Sequence, residues 1–209
     1  MFKRILSTMV IGLSLMLNQA CAADGFQEGV HYQTLSKPVV TSDSSKVEVL
    51  ELFWYGCPHF DSLDPALKAW VQKLPSDVNF VRMPVVFGRS WEMHARMFWV
   101  AKNLGLLETI HEPLFNAIHR EGQRLQRVDE VIAFFERFGA DSAVVKRELD
   151  GFATESALRL ADARVRAYGI QGVPALVVNG RYVTGVSQAG GESQLFALLN
   201  ELIETSRQQ

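Results

Sequence analysis

From Val47 to Tyr55 the chain is almost continuously apolar, without the alternation of a half-exposed strand. Such a run predicts a strand buried on both faces, in the middle of a sheet. The period then changes. Leu63, Leu67, Trp70, Val71 and Leu74 recur at helical spacing, and Pro58 suits the first position of that helix. Pro65 falls inside it and should kink it. Val78 to Met83 reads as the next strand, completing a right-handed crossover unit. A shorter strand is expected at His31 to Leu35, ahead of a Ser/Asp-rich loop from Thr41 to Lys46.

From about Ser90 to Ala167 the pattern is helical throughout. Met93, Met97, Val100 and Leu104 share one face, as do Val131, Phe134, Phe135 and Phe138, with Asp129 near a start and Gly139 as a stop. Strand character returns at Ala175 to Asn179, turns at Asn179-Gly180 and pairs back through Arg181 to Thr184, a strong hairpin signal. A last amphipathic helix carries Leu195, Leu198, Leu199 and Leu202. These elements give an α/β chain with a block of helices inserted between strands.

The first residues change the picture of where the protein works. Lys3 and Arg4 precede an apolar stretch from Ile5 to Leu17, which closes on Ala20-Cys21-Ala22. That is the form of a secretory signal peptide, cleaved near Ala22 or Ala23. The stretch is short of the roughly 20 residues that span a bilayer. Asn18 stands where an acylated Cys21 would need a Leu-like neighbour. Of the two cysteines, cleavage leaves Cys57 alone, so no disulfide can form within the mature chain. An odd cysteine sent to an oxidising compartment is buried and inert, paired to another molecule, or a working thiol.

Composition narrows the partners. The 209 residues are 48% hydrophobic and 21% charged with a formal net charge of -2, and Lys and Arg gather into no run. Nothing here has the electrostatic footprint of a nucleic-acid binder. The histidines lack the paired spacing of a zinc helix, so no metal is expected.

Cys57 sits where a buried strand gives way to a helix, facing the free N–H groups of the first turn and the positive end of the helix dipole. Both favour the anionic, nucleophilic form of the sulfur. His59, two residues on, adds an imidazole. A packed core cysteine is the bland alternative, but strand ends in open α/β sheets are where ligands bind. Glu51 lies inside the apolar run, where a carboxylate is desolvated and holds its proton more tightly. Such an acid could take or relay a proton. An edge strand with Glu51 facing water is the alternative there.

Phe53-Trp54-Tyr55-Gly56-Cys57-Pro58-His59, then Gly172-Val173-Pro174, with Gly190-Gly191 before the last helix, resemble the DsbA family of bacterial periplasmic disulfide oxidoreductases. The resemblance runs from about His31 to the C-terminus. It implies a thioredoxin fold with an inserted all-helical domain: signal peptide 1–22, thioredoxin-like domain 23–88 and 168–209, helical domain 89–167. It further implies a cis bond between Val173 and Pro174, and a groove binding unfolded polypeptide, with Trp54, Phe60, Val173 and Pro174 as contacts. Glu51 matches the family's buried acid and His59 its redox-tuning histidine, which makes Cys57, His59 and Glu51 the catalytic candidates.

The family's motif is Cys-Pro-His-Cys, and here its last residue is Phe60. Asp61, Ser62 and Asp64, just after the motif, are also less typical of the family than the motif itself. A second cysteine normally resolves mixed disulfides, so three functions stay open. Cys57 alone could exchange disulfides with exported polypeptides, recycled by glutathione or a membrane redox partner. The chain could instead hold polypeptides without chemistry, as a chaperone. It could also be a glutathione-dependent transferase or isomerase. No bound cofactor is expected, glutathione being a candidate co-substrate only.

Overall fold

A computed structural model describes residues 25–208. The expected signal peptide and Cys21 lie outside them. Five strands form one mixed sheet in the order β1-β5-β4-β2-β3. These are β1 (Gln33–Thr34), β2 (Val47–Phe53), β3 (Val78–Pro84), β4 (Ala175–Val178) and β5 (Tyr182–Thr184). β3 runs parallel to β2; β4, β5 and β1 pair antiparallel in turn. The fold is the thioredoxin fold with a helical insertion.

Every residue of β2 is buried, because it lies between β3 and β4 with helices on both faces. Its side chains divide by parity. Val49 and Phe53 join a core with α1 (Pro58–Val71), α2 (Arg89–Asn103), α3 (Leu107–His119), α4 (Val128–Glu136), α5 (Ser142–Leu149) and, past the hairpin, α8 (Glu192–Arg207). Leu50 and Leu52 join a second core with Ala161 and Val165 of α6 (Phe152–Tyr168). α2 to α6 all stand between β3 and β4, and a single turn of helix, α7 (Val186–Ala189), precedes α8.

Gly56, Gly180 and Gly185 are forced by space, the last because a Cβ would lie 2.8 Å from Pro174 O. At the hairpin, Asn179 and Gly180 both take positive φ, 50° and 63°, and Arg181 N–H closes the turn on Val178 O at 3.0 Å. A Cβ on Gly180 would meet Val39 O at 2.0 Å. Both strands are therefore one residue shorter at the turn than the pattern predicts. A Cβ on Gly56 would lie 2.3 Å from the Trp54 ring. β2 stops at Phe53 rather than Tyr55, since Trp54 O turns to accept Cys57 N–H at 3.0 Å. The first strand shrinks to Gln33 and Thr34. Among the described residues, no helix is long and apolar enough to cross a membrane.

Candidate active site

Cys57 is the N-cap residue of α1, with Pro58 at N1. Its carbonyl accepts the N–H groups of Phe60 and Asp61 at 3.1 and 3.3 Å. The sequence places the sulfur among free first-turn N–H groups, yet the thiol takes up no capping hydrogen bond. Proline supplies no N–H and the carbonyl takes up the Phe60 and Asp61 amides, which leaves the His59 N–H as the first-turn donor still open to the sulfur. Cys57 is also 7% exposed, less open than the expectation of an accessible thiol.

Phe60 is a second correction. Expected as apolar surface for a substrate, it is 0% exposed and packs edge-on against Phe53 at 5.8 Å. An aromatic ring at this point of α1 turns inward, toward the β2 face that carries Phe53. His59 instead is exposed, and it lines a groove of about 790 Å³ with Val173 and Pro174. The Val173–Pro174 bond is cis. Trp54, half-buried, stacks on Trp91 at 4.1 Å and 6°, with His94 6.0 Å away on the same side of the motif.

Beneath α1 lies a buried polar cluster. Parallel register sets Glu51 opposite Arg82, on the β2 face that carries Phe53. Glu51 is 1% exposed, so the edge-strand alternative fails. Arg82 Nε approaches Glu51 Oε2 at 2.9 Å, but neither atom completes an aligned hydrogen bond. Burial pushes the Glu51 carboxyl up to about 7, against the pull of Arg82 and with the push of Asp64. Asp64 of α1 lies 3.8 Å from Arg82 and 3.6 Å from His111 Nε2. Burial raises the Asp64 carboxyl, yet His111 and Arg82 outweigh it and hold it below the usual carboxylate range. His111 itself is held below an ordinary imidazole by desolvation.

His111 Nδ1 and Tyr55 Oη are 2.7 Å apart. An ionised Asp64 only accepts, so Nε2 carries the proton and Nδ1 accepts the tyrosine O–H. Desolvation keeps that phenol protonated, far above its ordinary range. His119 Nε2 donates to the Tyr55 carbonyl at 2.7 Å. Thus α3 holds the segment before Cys57 by side chain and backbone together. Sequence reasoning set His111 and His119 aside for lacking zinc spacing. Their four-residue spacing through Phe115 on one helix face was the available signal.

Residues 55–202 match the model of the DSBA-like thioredoxin domain. The chain belongs to that family. Among the DSBA-like relatives, the thiol:disulfide interchange protein DsbA of Pseudomonas aeruginosa is 36% identical over 98% of this chain and 97% of its own. The Pseudomonas syringae protein of the same name is 34% identical over 97% and 95%. The crystal structure of P. aeruginosa DsbA superposes with a TM-score of 0.84 at 38% identity, covering 88% of this chain and 96% of that one. The DSBA-like oxidoreductase DsbA of Xylella fastidiosa gives 0.80 at 28% identity, covering 86% and 96%.

Proposed function

We propose that this DSBA-like chain carries out thiol:disulfide interchange on exported, cysteine-containing polypeptides in the periplasm, through the single thiol Cys57. The observation that carries the reading is one juxtaposition. Cys57 is the N-cap residue of α1, four residues past the end of the buried strand β2, and the next-but-one residue, His59, shares a groove with the cis Val173–Pro174 bond. The curated relatives bear the matching name.

The exchange needs one sulfur in line with a disulfide. The Cys57 thiolate attacks one substrate sulfur, the new Cys57–substrate bond forms, and the other substrate sulfur leaves as a thiolate. A further thiol of the same polypeptide, or glutathione, then attacks the mixed disulfide and releases Cys57. No net oxidant is consumed when the substrate resolves itself, so the chemistry is isomerisation. Glu51, close to half-ionised at neutrality, holds or yields a proton on the α1 side of the sheet. Tyr55, His111 and His119 fix the segment that carries the thiol.

A reshuffling assay tests this. A scrambled-disulfide protein should regain its native pairing faster with the purified chain than without it, and Cys57→Ser should remove the gain. A gain that survives Cys57→Ser overturns the reading. The low exposure of Cys57 favours a second reading, a polypeptide holder without chemistry; suppression of aggregation with equal strength by wild type and Cys57→Ser, and no reshuffling, would establish it. Phe60→Cys restores the motif's second sulfur and should confer dithiol oxidation. Because Phe60 is wholly buried, that variant should also lose about 3 kcal/mol of stability to the cavity.

A further inference from the structure

The groove beside the cis bond is built mainly from apolar and amide side chains, Val173, Pro174, Gln171 and Gln188 among them. Besides His59, its single ionisable lining residue is Glu192. Glu192 is exposed at the first position of α8, and among the described residues it has no ion pair or side-chain hydrogen bond. An acid at a helix N-terminus offsets the positive end of the dipole. That role needs no groove. An unpaired carboxylate on the wall of a cavity that otherwise carries no negative charge also imposes a field on whatever enters.

We propose that Glu192 is a specificity-determining residue, biasing the groove toward polypeptide segments that carry Lys or Arg close to the reacting cysteine. The inference rests on the interchange reading above and adds to it a substrate class. Amides and apolar walls accept an extended chain of any charge, so discrimination falls to the one fixed charge. Because Glu192 is solvent-exposed, the preference is modest and sensitive to salt.

The test uses three synthetic peptides, identical except for Arg, Gln or Glu two residues from a single cysteine, each activated as its thiopyridyl disulfide. Attack by Cys57 joins its sulfur to the peptide, and thiopyridone leaves with the proton, giving an absorbance signal. The Arg peptide should react about two- to fivefold faster than the Glu peptide at low ionic strength. The ratio should fall toward one at about 0.5 M salt, vanish in Glu192→Gln and invert in Glu192→Lys. Glu201→Gln, an exposed acid of α8 outside the groove, should keep it. A purely helix-capping role would change thermal stability and leave the ratio intact. Equal rates for all three peptides, or an unchanged ratio in Glu192→Gln, overturn the proposal while leaving interchange standing. No thiopyridone release from any peptide overturns both.

Discussion

Strand β2 buries two glutamates three residues apart, and they face opposite sides of the sheet. Glu48, 0% exposed, meets Arg164 of α6 at 2.6 Å, and Ser42 donates to it through both its hydroxyl and its N–H, the latter at 2.8 Å. Arg164 in turn donates to Tyr168 Oη at 2.8 Å. Glu51, on the face of α1 and α3, has a poorly aligned guanidinium and a second acid for company. A buried charge is tolerated when its hydrogen-bonding capacity is filled, and otherwise it moves toward neutrality. The side of the sheet away from the thiol holds the filled carboxylate, although Arg164 Nε beside it has no hydrogen-bond partner among the described residues. The side beneath the thiol holds the unfilled one, which titrates in the range where thiol chemistry runs.

The largest effect expected from breaking this contrast is on the filled side. Glu48→Ala leaves Arg164 without its buried partner and should cost about 3–5 kcal/mol by urea denaturation. The reactivity of Cys57 should be unchanged, since none of the groups around Glu48 lines the groove.

On the unfilled side the effect depends on pH. Folding raises the Glu51 carboxyl from 4.5 to about 7, so the folded chain binds a proton that the unfolded chain has already released. Its penalty is absent below pH 4.5, grows as pH rises, and is complete above about 7, reaching about 3 kcal/mol. The drop in unfolding free energy between pH 5 and pH 8 should therefore shrink by about that amount in Glu51→Gln. An identical drop in wild type and variant would contradict the assignment. Smallest is Tyr55→Phe, which removes one buried hydrogen bond to His111 and should cost about 1 kcal/mol. The same variant should lower the Cys57 exchange rate, because one of two tethers on the preceding segment is gone.

What the sequence revealed and what it hid follow from the range of the interactions. The run Val47 to Tyr55, the Asn179-Gly180 turn and the helix opening at Pro58 are set by neighbouring residues, so pattern sufficed. Glu51 stood out as an acid within an apolar run. Glu48, in the same run, drew no attention. Its use depends on Arg164, 116 residues away. Arg82 reaches Glu51 through parallel register, and His111 reaches Tyr55 from a helix 56 residues on. Neither separation leaves a periodic trace. Phe60 was misjudged for a related reason: motif position suggested a surface residue, while the inward face of α1 was decided by packing against Phe53.

The interchange reading depends on Cys57 reacting despite its 7% exposure. The most direct measurement is the rate of iodoacetamide alkylation of Cys57 in the purified protein at pH 6, against free cysteine under the same conditions. Faster reaction of Cys57 is the predicted result. Reaction slower than free cysteine, becoming fast only on unfolding, would mark an inert core thiol and contradict it.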